Sequence, residues 1–124
     1  MTDVRYIVND VEEAIAFYTN HLRFDLVQQF GPAMAILSRE DLNLWVAGPM
    51  ASASQPMPDG AKPEPGGWGR FVLQVSNIED LVHKLQAAGV SFRNNVVPGP
   101  GGKQILCVDP SGNLVELFEA AGSE

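Results

Sequence analysis

The side chains that most often carry catalysis are scarce in this chain: two histidines, His21 and His83, and one cysteine, Cys107. The pattern around them puts His21 at the end of one amphipathic helix and His83 within another, where a histidine ordinarily belongs to the helix surface. With both histidines on helices, no Ser-His-Asp constellation is visible. Cys107 lies in a strand pattern with no histidine or helix N-terminus implied beside it, so it reads as an inert small hydrophobe. The stretch Pro98-Gly99-Pro100-Gly101-Gly102-Lys103 invites a phosphate-loop reading. Its glycine spacing fails, however, and Gln104 stands where Ser or Thr would hold Mg²⁺. A mobile turn is expected there instead.

Fifteen acidic residues against eight basic ones give a net charge of −7. Phosphate backbones are bound by dense Lys/Arg faces, so no nucleic-acid partner is expected. No run of about 18 apolar residues exists, and no membrane partner is expected either. The opening residues MTDVRYIVNDVEE lack the basic start, apolar stretch and cleavage site of a signal peptide. A lone cysteine cannot form an internal disulfide, so a cytoplasmic location is the expectation.

The elements that must position any site can be read from periodicity. Val4–Val8 is a short apolar strand ending at Asn9-Asp10. Val11, Ala14, Ile15, Tyr18 and Leu22 then form the stripe of an amphipathic helix, with Asp10 as N-cap and Glu13 at the capping-box position. Three strands follow, at Asp25–Phe30, Met34–Ser38 and Leu42–Val46. Gly48 to Gly67 is dense in proline (Pro49, Pro56, Pro58, Pro63, Pro65), which excludes a regular helix or a central strand. It reads as a surface linker or as a loop folding over a pocket.

The first pattern then recurs. Arg70–Val75 is a strand, Asn77 a cap, Asp80 the capping-box residue, and Gly89 the left-handed helix terminator. Ile78, Leu81, Val82, Leu85 and Ala88 make the stripe, and strands follow at Ser91–Asn94, Gln104–Val108 and Leu114–Phe118. The two helices align at an offset of 67, with Val11 on Ile78, Glu12 on Glu79, Glu13 on Asp80, Ile15 on Val82 and Tyr18 on Leu85. Such a repeat means two copies of one βαβββ unit. The fold class is α+β, one domain over 1–124, with units at about 3–47 and 68–119 joined by the linker 48–67.

Paired βαβββ units, together with Asn9-Asp10-Val11 before Ala16-Phe17-Tyr18 and the run Asp109-Pro110-Ser111-Gly112-Asn113-Leu114-Val115-Glu116-Leu117, resemble the vicinal oxygen chelate superfamily. That family comprises glyoxalases, bleomycin-resistance proteins and extradiol dioxygenases. The resemblance covers essentially the whole chain and implies a cupped mixed sheet around a central cavity, with a homodimer covering open sheet edges.

Enzymes of this superfamily hold a divalent metal through up to four His, Glu or Gln side chains inside the cup. The matching positions here are Asp3, Asn43, Arg70 and Glu116. Only Glu116 is a usual ligand, and a guanidinium has no lone pair to give a metal. The resemblance combined with these departures implies no metal and no cofactor. An Arg70–Glu116 pair stands in the metal's place, either as a buried ion pair or as a clamp for a ligand's carboxylate, phosphate or phenolate. If the pair is fully buried, losing one partner costs about 3–5 kcal/mol. Strand alternation points Asp3, Arg5, Asn43, Trp45, Gln74 and Phe118 the same way, a lining suited to a planar or amphipathic molecule.

Two function classes remain open, and whether the protein is an enzyme is undecided. The first is metal-independent binding of a small amphipathic or anionic organic molecule, as in resistance by sequestration. The second is a glyoxalase-like isomerase or lyase, or a dioxygenase, metal-free or with an atypical metal site. In a metal-free enzyme Glu116 would be the general base and Arg70 the electrostatic clamp. A domain with an empty cup is a third possibility.

Overall fold

The computed structural model describes residues 1–122. They fall into two units, one from Met1 to Gly66 and one beginning at Gly67, each with a single mixed sheet and one long helix. The fold class is α+β, as the repeat implied. No helix of the described residues is long and apolar enough to cross a membrane.

The first unit runs β1 (Thr2–Ile7), α1 (Val11–His21), β2 (Asp25–Phe30), β3 (Met34–Arg39) and β4 (Leu42–Ala47). Its sheet has the order β1-β4-β3-β2, with β1 parallel to β4 and the other pairs antiparallel. Helix α1 starts where Asp10 Oδ1 accepts a hydrogen bond from the Glu13 amide at 3.0 Å, satisfying one of the first free donors. Its apolar stripe, Val11, Ala14, Phe17 and Tyr18, is buried against the sheet. Ala35, Leu37, Leu44 and Val46 supply the sheet's half of that core. Because strand side chains alternate, the residues between them lie on the opposite, helix-free face.

The second unit runs β5 (Arg70–Gln74), α2 (Ile78–Ala87), β6 (Ser91–Phe92), β7 (Val97–Gly99), β8 (Gly102–Val108) and β9 (Leu114–Ala120). Its sheet has the order β5-β9-β8-β6, with β7 also paired to β8 and β5 parallel to β9. Phe71, Leu73, Ile78, Val82, Leu85, Ile105, Cys107, Val115 and Leu117 form its core. Asp109 ties the β8–β9 turn: its Oδ1 accepts from the amides of Ser111 and Asn113 at 2.9 Å, and its Oδ2 from Asn113 Nδ2 at 3.2 Å.

Four local expectations are corrected. The strand expected at Ser91–Asn94 stops at Phe92, because Asn94 Oδ1 takes the Leu106 amide at 2.9 Å in place of a backbone carbonyl. The expected mobile turn at 98–103 is a hairpin between β7 and β8, in which Lys103 Nζ reaches Glu79 Oε2 at 3.1 Å. Gly102, at φ +149°, is required there, since any Cβ would strike the Glu119 carbonyl. Asn77 does not cap α2 with its side chain; it is left-handed at φ 52°, and the Glu119 carboxylate accepts from the amides of Asn77 and Ile78. The proline-rich stretch is not wholly irregular, for Ser52–Ser54 forms one 3-10 turn and Gln55 Nε2 binds the carbonyls of Pro49 and Ala51.

Candidate functional site

On the helix-free face of the first sheet, the parallel pairing sets Asp3 beside Asn43 and Arg5 beside Trp45. Asp3 Oδ1 accepts from Asn43 Nδ2 at 2.9 Å and from the Trp45 indole N–H at 3.4 Å. The Arg5 guanidinium stands over the Trp45 ring, 5.1 Å from its centroid, a cation–π distance. Four of the expected residues thus form one hydrogen-bonded and stacked group.

In the second unit the pairing of β5 with β9 puts Arg70, Val72 and Gln74 alongside Leu114, Glu116 and Phe118. Arg70 Nε donates to Glu116 Oε1 at 3.1 Å, and Arg70 Nη1 to the Trp68 carbonyl at 3.3 Å. Glu116 is buried, and Arg70 remains open to solvent on one side. Gln74 is exposed, two register positions beyond the Val72–Glu116 pair, and the half-buried Phe118 ring lies against Gly101 and Gly102 at the turn of the β7–β8 hairpin. The Trp68 ring carries a second guanidinium, that of Arg93, at 4.5 Å from its centroid.

Trp68 and Arg93 escaped the sequence reading. Trp68 sits two residues ahead of Arg70, at the edge of the proline-rich stretch, and Arg93 follows a strand that ends early. Nothing in their spacing links residues brought together only by the strand order. His21 is half-buried on the last turn of α1, its ring 5.7 Å from that of Phe17, and His83 is exposed on α2. Burial among apolar neighbours pushes the Cys107 thiol up to about 12, with the Asp109 carboxylate adding to the effect.

The family model for the glyoxalase/bleomycin resistance protein/dioxygenase superfamily matches residues 2–117. The chain belongs to this superfamily. Solved structures with the same fold include a lactoylglutathione lyase from Agrobacterium tumefaciens, at a TM-score of 0.75 and 18% identity, covering 96% of this chain and 92% of that one. An antibiotic binding protein from Streptomyces sp. CB03234 aligns at 0.73 with 24% identity, covering 96% and 93%. A genomically encoded fosfomycin resistance protein from Listeria monocytogenes aligns at 0.73 with 16% identity, covering 98% and 93%. No curated protein matches the sequence.

The donor set does not fit the divalent metal of the superfamily's enzymes. At the four implied positions Asp3 is hydrogen-bonded to Asn43 and Trp45, while Glu116 is bonded to a guanidinium that cannot ligate. Among the described residues no three His, Cys, Asp or Glu side chains come together in a group that could hold a metal ion.

Proposed function

We propose that this member of the superfamily binds a small amphipathic or anionic organic molecule on the helix-free faces of its sheets, without a metal, and acts by sequestration or carriage. The observation that carries the reading is the Arg70–Glu116 bond, which commits the one ordinary ligand at the implied metal positions to an arginine. The aromatic and cationic groups, Trp45 with Arg5 in the first unit and Trp68 with Arg93 in the second, suit a planar ligand with an acidic group. An antibiotic binding protein and a fosfomycin resistance protein among the structures of like fold agree with this direction. A cytoplasmic homodimer belongs to the same proposal.

The test is a thermal-shift screen of aromatic metabolites, antibiotics and 2-oxo acids, run with and without EDTA. Stabilisation by acidic aromatic compounds that is insensitive to EDTA is expected, because a ligand that binds only the folded state raises its melting temperature. A stoichiometric metal whose loss on Glu116→Gln abolishes ligand binding would overturn it. Turnover of a hit, lost in Glu116→Gln, would instead favour the metal-free enzyme with Glu116 as base and Arg70 as clamp.

A further inference from the structure

We propose that Arg93, held over the indole of Trp68, is the anion-receiving group of the second unit and takes the carboxylate of a small aromatic acid. This deepens the binding reading above and rests on it. Among the described residues the guanidinium of Arg93 has no ion pair and no hydrogen bond; its contact is the Trp68 ring at 4.5 Å. A cation–π contact draws on the charge of the group and not on its N–H bonds, so the five donors stay available. A carboxylate matches two of them at once.

Of the other cations of this unit, Lys84 lies on α2 and the remaining two are already engaged. Arg70 is bonded to Glu116 and to the Trp68 carbonyl, and Lys103 to Glu79. In the first unit the comparable Arg5–Trp45 stack has the Asp3 carboxylate at the indole N–H, which disfavours a second anion. Arg93 thus presents an uncompensated guanidinium beside an aromatic ring in a chain of net charge −7.

Arg93 is also fixed before any ligand arrives. Its amide donates to the Leu106 carbonyl at 2.9 Å, and the indole holds the far end of its side chain. Less side-chain freedom is then lost on binding. Trp68 is 62% exposed although one face lies under Arg93, so its other face and edges are open to an apolar ring. Arg70, holding the Trp68 carbonyl, is on this account a positioning residue rather than the clamp.

The experiment is a titration of the ¹⁵N-labelled full chain, followed at the indole N–H peaks of its two tryptophans, Trp45 and Trp68. The probes are benzoate, neutral benzyl alcohol and inorganic phosphate, and Trp68→Phe assigns the peaks. Benzoate is expected to shift the Trp68 peak saturably and benzyl alcohol to act far more weakly. Arg93→Gln should weaken benzoate by about tenfold or more, and Arg93→Lys by less, since a lysine keeps the charge and loses the fork. Retained peak dispersion shows that each variant is folded. Unchanged benzoate affinity in Arg93→Gln, a silent Trp68 peak, or tighter binding of phosphate than of benzoate would each overturn the proposal. Hits from the thermal screen that keep their affinity in Arg93→Gln would leave small-molecule binding standing and remove only the role of Arg93.

Discussion

Arg70 Nε lies 3.1 Å from Glu116 Oε1, and the two side chains retain 31% and 11% of their accessible surface. The pair is therefore neither a surface ion pair nor a fully buried one. Water still reaches the guanidinium and screens part of the attraction, so the cost of about 3–5 kcal/mol that full burial implies is too large. Arg70→Leu leaves the better buried Glu116 without its donor and should cost about 1–3 kcal/mol in urea unfolding. Glu116→Leu should cost less, because the arginine it leaves behind can turn to solvent. In the double variant most of the loss should return. A double variant as unstable as the sum of the two singles would show that the contact contributes nothing.

Helix α2 offers a second test, because its N-terminus is satisfied from a distance. The Glu119 carboxylate meets the amides of Asn77 and Ile78 at 3.2 and 3.1 Å, and its charge also faces the positive end of the helix. Glu119→Ala should lose about 0.5–2 kcal/mol, the ordinary value of an N-cap. Asn77→Gly should be neutral or slightly stabilising, since the residue sits at φ 52° and donates nothing to the cap from its side chain. A destabilising Asn77→Gly with a silent Glu119→Ala would return the cap to Asn77.

That exchange of caps shows where the sequence stops being legible. The α1 boundary was readable because Asp10 and Glu13 are three residues apart and the Asp10 carboxylate accepts from the Glu13 amide. The same pattern at Asn77 and Asp80 misleads, because a carboxylate 42 residues away displaces the local one. The repeat itself was legible, since alternation in Val4–Val8 and the 3.6-residue period after Val11 are local signals that survive folding. That Asp3, Arg5, Asn43 and Trp45 share a face follows from the same alternation, while the register that sets Asp3 beside Asn43 comes from the folded sheet. Trp68 and Arg93 were not legible. They meet only because Arg93 is tied to Leu106 on β8, and no short-range pattern encodes that.

Cys107 supplies a prediction in pH. Burial raises its thiol from an ordinary 9.0 to about 12. Its stabilising effect is complete below pH 9.0 and is lost as pH rises, because the unfolded chain then gives up a proton that the folded chain keeps. Above pH 9.0 stability should fall by up to ~1.4 kcal/mol per pH unit from this group, and Cys107→Ala should flatten that slope. In the native protein a thiol reagent at neutral pH should react only as fast as the chain opens. Rapid labelling of the folded protein would show an accessible thiolate instead.

The outer strand β2 bears on assembly. It closes one side of the first sheet and exposes Leu26, Val27 and Phe30. Its ladder to β3 shifts between Leu26 and Gln28, an irregularity of the kind that blunts a strand edge against backbone pairing. If two chains associate here, side chains rather than a continued ladder must make the contact. The expected homodimer should then appear in light scattering at micromolar concentration and dissociate in Phe30→Glu. Because Phe30 is exposed in the single chain, that variant should keep the circular dichroism of the folded protein. A monomeric mass for the unsubstituted chain would remove the dimer, and a dimer indifferent to Phe30→Glu would move its contact elsewhere.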